Sequence, residues 1–269
     1  MAHPVTSIDL PTGVTLQYVE KGSPSGVPLL LLPGGYDSWR SYERVLPLLP
    51  ESLHAFALTQ RGHGDSSKPK TGYRVSDYAK DVAAFMDALA IKKAFFTGHS
   101  LSTLVAKRFA IDNPGRTLGL LLVGADYNVA NNPALEDMLD MFSRLEDPVS
   151  PDFVRDFQKS TIAQPLPQEF LETIMQESLK IPARTWKAVF KGILMDDITG
   201  ELGTIKAPTL LIWGSKDELT PRSEQESLLK AIPDARLLVY EGHGHSPHWE
   251  APERFASDIT TFIETVVNA

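Results

Sequence analysis

Two short stretches carry side chains suited to nucleophilic chemistry. In the first, Ala94-Phe95-Phe96-Thr97-Gly98-His99-Ser100, a serine follows a short apolar run with the aromatic content of a buried strand. Beyond it, Leu101, Leu104, Val105 and Phe109 recur at helical spacing. A strand that turns sharply into a helix with serine at the corner is a nucleophile elbow, which lifts the serine Oγ clear of both elements. Gly98 suits the tight turn because it has no Cβ. The N–H of Leu101, at the start of the helix, can point at a developing oxyanion. The second stretch, Gly242-His243-Gly244-His245-Ser246-Pro247-His248, crowds three histidines into six residues. A serine hydroxyl is a poor nucleophile unless a base removes its proton, and the base needs a carboxylate to orient it. Clustered histidines also suggest a metal, but the glycine spacing and the lack of an acidic partner on the same face speak against one. The expectation is no metal and no cofactor.

These residues need a scaffold, and the chain alternates accordingly. Residues 5–20 alternate loosely around Thr12-Gly13, which predicts an opening antiparallel hairpin. Pro28–Leu32, His54–Thr59, Ala94–Thr97, Leu118–Gly124 and Thr209–Gly214 are apolar runs, as in strands buried in a covered sheet, and Arg236–Tyr240 is the last strand. Helices are expected over Trp39–Leu49, after Ser76 or Asp77 as cap, after Ser100, and after Pro221 and Pro252. Strand and helix in alternation imply a parallel sheet with helices on both faces. From 128 to about 200 the pattern changes to helical segments interrupted by Pro133, Pro148, Pro151, Pro165, Pro167 and Pro182, with no convincing buried strand.

Composition removes several classes of function. The chain has 269 residues, suited to one large α/β domain with an insertion. A net charge of -8 with no basic cluster argues against nucleic-acid binding. The absence of cysteine excludes disulfides, thiol catalysis and thiolate metal sites. No apolar run approaches the roughly 20 residues of a membrane span. The opening residues, MAHPVTSIDLPTG, lack a basic n-region and an apolar h-region, so a cytoplasmic protein is expected.

The chain resembles the α/β-hydrolase family in four places. Gly98-His99-Ser100-Leu101-Ser102 is similar to the family's G-x-S-x-G elbow, with Ser102 in place of the last glycine. Pro33-Gly34-Gly35 stands where the family reads H-G, with Pro33 replacing the histidine. Gln60-Arg61-Gly62-His63-Gly64-Asp65-Ser66 resembles the D-x-R-G-x-G-x-S loop, with Thr59 at the usual aspartate, which makes Arg61 and His63 loop supports. Gly242-His243-Gly244-His245, then Glu250-Ala251-Pro252-Glu253-Arg254-Phe255, resembles the histidine loop. The resemblance implies a mostly parallel eight-stranded sheet with helices on both faces. It implies a core of 1–127 and 201–269, with a helical cap of 128–200 over the sheet's C-terminal edge. It also implies a triad in the chain order Ser100, Asp217, His245, and an oxyanion hole from the N–H groups of Gly35 and Leu101. Asp126, after the sixth strand, is an alternative site for the acid.

The expected activity is hydrolysis of a small-molecule carboxylic ester or lactone through an acyl-enzyme, with no nucleic-acid or membrane partner. A serine elbow argues against haloalkane dehalogenases and epoxide hydrolases, which place an aspartate there. Other chemistries on the same triad compete: C–C bond hydrolysis, perhydrolase or haloperoxidase-like reactions, and cofactor-free oxygenation. A non-catalytic binding protein is a third reading. Tyr127, Met141, Phe142 and Trp186, with Tyr36 and Trp39 from below, are the expected pocket lining.

Overall fold

A computed structural model describes residues 4–129 and 133–269. Residues 130–132, inside the expected cap, and 1–3 lie outside the described residues. Eight strands form one sheet in the order β1-β2-β4-β3-β5-β6-β7-β8. They are β1 (Val5–Asp9), β2 (Thr15–Gly22), β3 (Val27–Leu32), β4 (Leu53–Thr59), β5 (Ala94–His99), β6 (Thr117–Val123), β7 (Thr209–Gly214) and β8 (Ala235–Tyr240). β2 pairs antiparallel with β1 and with β4, and every other pairing is parallel. The predicted mostly parallel eight-stranded sheet is therefore the one observed.

The central strands are mostly apolar because both faces of the sheet are covered. Leu30, Leu32, Phe96, Leu120 and Leu122 pack on one side, against α1 (Val75–Ala88) and α2 (Leu101–Asp112). Leu29, Leu31, Phe95, Leu121 and Val123 pack on the other, against α9 (Pro252–Val267). Full burial of one such side chain is worth about 1.5–3 kcal/mol.

Between β6 and β7 the chain forms α3 (Pro133–Ser143), α4 (Pro151–Ser160), α5 (Gln168–Leu179) and α6 (Ala183–Ile193). α4, α5 and α6 each start beside a proline, where the missing N–H costs nothing. α7 (Arg222–Ala231) follows Pro221, and the one-turn α8 (Pro247–Glu250) precedes α9. No described helix is long and apolar enough to cross a membrane.

Two local expectations are corrected. Trp39–Leu49 is not one helix but two 3-10 turns, Trp39–Tyr42 and Leu46–Leu48. Pro47 cannot donate a backbone hydrogen bond, and Ser38 caps only the first turn, through its Oγ to the N–H of Arg40. α1 begins after Arg74 rather than at Ser76 or Asp77. Asp77 sits within the first turn and accepts the N–H of Arg74 at 3.0 Å, while the Ser76 N–H donates to Asp196 from the segment after α6.

Candidate active site

β3, β5, β6, β7 and β8 run parallel, so the residues that follow them gather at one edge of the sheet. Gly35, Ser100, Asp126, Asp217 and His245 each follow one of these strands.

Ser100 has φ 51° and ψ −119°, a left-handed conformation that strains any residue with a Cβ. The tight packing of β5 against α2 imposes it. A Cβ on Gly98 would collide with the Ser102 carbonyl, so only glycine lets the elbow close. Leu101 opens α2, and Gly35 lies against it: a Cβ there would stand 3.5 Å from Leu101 Cδ1. Ser102, where the family has glycine, is fully buried, and its Oγ donates to the Pro33 carbonyl. It also accepts from Gln60 Nε2 at 2.7 Å. The loop after β3 is thereby tied to the elbow.

His245 Nδ1 lies 2.8 Å from Asp217 Oδ2, with both side chains buried. Asp217 also accepts Thr220 Oγ1 at 2.5 Å and the N–H groups of Leu219 and Thr220 at 2.9 and 3.0 Å. Burial pushes its carboxyl up, but the charge and hydrogen bond of His245 and the Thr220 donors outweigh this and hold it below the ordinary carboxylate value. An ionised carboxylate can only accept, so Nδ1 of His245 carries the hydrogen. Nε2 is buried and makes no hydrogen bond to a described residue.

The other histidines are occupied elsewhere. His99 Nε2 donates to the His245 carbonyl at 3.0 Å, and burial lowers the His99 ring to about 3. His243 Nδ1 bonds the Glu241 carbonyl at 2.9 Å. His248 Nε2 bonds Ser41 Oγ at 3.0 Å beneath the sheet edge. His63 Nδ1 bonds the Arg61 carbonyl at 2.7 Å, and Arg61 forms a buried bidentate pair with Asp81. Both support their loop.

Ser100, His245, Gly35 and Leu101 line one cavity, partly open to solvent, of about 680 Å³ with its open mouth included. Leu104, Leu135, Met138, Phe190 and Ile193 make its walls largely apolar, and Asp37, Asp126 and Gln158 add polar groups. Of the six aromatic and methionine side chains expected to line it, the structure brings only Tyr36 there. Trp39 packs in the core on the other side of the sheet. Tyr127 faces a separate depression beside Leu194 and Ile198. Met141 is exposed at 47%. Phe142 and Trp186 are fully buried in an aromatic cluster, where Trp186 stacks on Tyr36 at 3.6 Å and Phe142 meets Tyr36 edge-on at 5.3 Å.

Three residues absent from the sequence-based site hold it together. Glu250 accepts N–H groups from Ala163 and Gln164, between α4 and α5, and from Gly244 beside His245. Asp37 and Gln158 pair across the same gap, Nε2 to Oδ1 at 3.2 Å. Glu250 stood in a recognised motif, whereas nothing near Gln158 in sequence marked it.

The chain belongs to the alpha/beta hydrolase fold family. The family match runs over residues 27–252 and so takes in all these elements. The chain is similar to the AB hydrolase superfamily protein YisY of Bacillus subtilis, 25% identical over 88% of this chain and 91% of that one. It is similar to the esterase RhEst1 from a Rhodococcus species, with TM-score 0.85 and 26% identity over 97% of this chain and 99% of that one. A 2-hydroxy-6-oxo-6-phenylhexa-2,4-dienoate hydrolase of Burkholderia cepacia is 29% identical over 66% of this chain and 65% of that protein.

Proposed function

We propose that this α/β hydrolase cleaves an uncharged carboxylic ester or lactone through an acyl-enzyme on Ser100. The observation that carries this reading is the 2.8 Å His245–Asp217 contact beside a strained serine in one apolar cavity. Ser100 Oγ attacks the carbonyl as His245 Nε2 takes its proton. The N–H groups of Gly35 and Leu101 hold the oxyanion, and His245 passes the proton to the departing alcohol. Water, activated by the same nitrogen, then releases the acid. Asp217 keeps the ring in the required tautomer. The helices α3 to α6 act as the cap that closes the cavity.

The Burkholderia relative raises C–C bond cleavage as a second reading. The substrate in that protein's name carries a carboxylate. Among the described residues lining the cavity here there is no lysine or arginine, while Asp37 and Asp126 are present. An anion gains no cationic partner in such a site, which favours the neutral ester.

The test is a panel of neutral esters and lactones against a 6-oxo-dienoate acid. Wild type should turn over the esters, and Ser100→Ala should lower kcat by about 10⁴–10⁶-fold with folding intact. A fluorophosphonate probe should label Ser100 and not Ser102. Near-normal turnover by a folded Ser100→Ala protein overturns the assignment, and turnover of the dienoate alone selects the second reading.

A further inference from the structure

The ester reading leaves one buried acidic group of the cavity without a task. Asp37 follows the oxyanion loop, is 2% exposed, and lines the cavity with Ser100 and His245. Gln158, 1% exposed, reaches it from α4. Gln158 Nε2 donates to Asp37 Oδ1 at 3.2 Å and to Ser178 Oγ of α5 at 2.8 Å, and Ser178 Oγ in turn donates to the Tyr36 carbonyl at 3.0 Å. The chain Ser178–Gln158–Asp37 fixes the carboxyl and consumes Oδ1. Oδ2 makes no hydrogen bond to a described residue.

We propose that Asp37, oriented by Gln158, forms a hydrogen-bonding subsite for a hydroxyl group carried by the acyl chain of the substrate. The inference rests on the ester reading above and adds the substrate class. A carboxyl group in an apolar wall, with no lysine or arginine among the described lining residues, meets the donor and acceptor of a hydroxyl better than a bare methylene or an anion. Burial pushes the Asp37 carboxyl up to about 7, against the opposing effects of the Gln158 hydrogen bond and the His245 charge. A carboxyl with this value can donate or accept around neutral pH. Leu104, Leu135 and Met138 leave room for the rest of an aliphatic chain. The pair also joins the helical segment to the core. The subsite is therefore complete only while α4 sits over the sheet edge.

The experiment compares methyl butyrate, methyl 3-hydroxybutyrate, methyl 3-aminobutyrate and monomethyl succinate, with kcat and KM measured at pH 7.5 and melting temperatures recorded. Wild type should favour the hydroxy ester over methyl butyrate by about tenfold in kcat/KM, the size of one discriminating hydrogen bond, and mainly through KM. Asp37→Leu and Gln158→Leu should bring that ratio near one, and Asp37→Asn, which keeps a donor and an acceptor, should retain part of it. A ratio near one in wild type, or one that Asp37→Leu leaves unchanged, overturns the subsite while the ester reading stands. A preference for the amino ester overturns it too, because the group would then be an ionised cation site. If no ester in this set or in the wider panel is turned over, the ester reading falls and the subsite with it.

Discussion

Burial disfavours the His245 imidazolium, yet Asp217 first, then Asp126 and Asp37, stabilise it enough to raise the ring above the ordinary imidazole value of about 6.5. A base must be neutral to take the Ser100 proton. Activity should therefore be lost as pH falls through this raised value, and kcat/KM should show one dominant acid limb above about 6.5. Asp217→Asn removes the largest opposing charge and the tautomer control together. Turnover should fall by up to about 10⁴-fold, and the acid limb of the residual activity should move to lower pH because burial then acts against a weaker field. Asp126→Asn should move the limb less and keep most of the turnover. A crippled Asp126→Asn beside a mild Asp217→Asn would place the acid after β6 and leave the hydrolase assignment intact. The contact between His245 and Asp217 was legible in the sequence because each follows a strand end in a recognisable motif. Asp37–Gln158 was not, because 121 residues separate the partners and no local pattern marks either. Two departures from the family pattern, Pro33 in the loop after β3 and Ser102 at the elbow, bond each other. Each looked like an isolated substitution in the linear chain.

At the scale of elements, the strands are legible in the sequence because a run such as Leu29–Leu32 suits a strand with both faces covered. The Trp39–Leu49 segment departs from the expected helix because its apolar spacing suits one while Pro47 limits the backbone to short turns. The expected pocket residues lie elsewhere for a different reason. An aromatic side chain on an amphipathic helix gives the same periodicity whether it faces a cavity or a neighbouring helix. Trp186 and Phe142 face neighbours. Their cluster, with Tyr36 at its centre, fixes α6 and α3 to the loop after β3. Trp186→Ala should therefore cost about 3–5 kcal/mol of stability, seen in urea unfolding, with little change in the ranking of substrates. Phe190→Ala, on the cavity wall, should change that ranking more than it changes stability relative to Trp186→Ala. If Trp186→Ala reorders the substrates without destabilising the fold, that side chain reaches the substrate.

For the whole molecule, the buried histidines decide how the fold responds to acid. Burial lowers His63 to about 4 and His99 to about 3, and takes His248 well below the ordinary value, with the charge of His245 adding to the effect at His99 and His248. All three are neutral in the native state at pH 5, and all three take up a proton on unfolding, because their unfolded value is about 6.5. The unfolded state then binds more protons, so stability rises with pH up to about 6.5 and is lost as pH falls below it. Asp37 opposes this. Its carboxyl titrates near 7 in the fold and near 3.9 when unfolded, so around pH 5 the native state holds one proton that the unfolded chain does not. Three protons taken up against one released leave a net uptake of about two, a slope of about 2–3 kcal/mol per pH unit between roughly pH 4.5 and 6. His245 is protonated in both states in that window and adds no slope. Urea midpoints measured at pH 4.5, 5, 5.5, 6 and 7 should fall steeply below pH 6 and flatten above it. His248→Gln, which removes one of the three, should reduce the slope by about a third to a half even if it lowers stability throughout. A flat profile between pH 5 and 6 would mean that these imidazoles are not held neutral by the packing described.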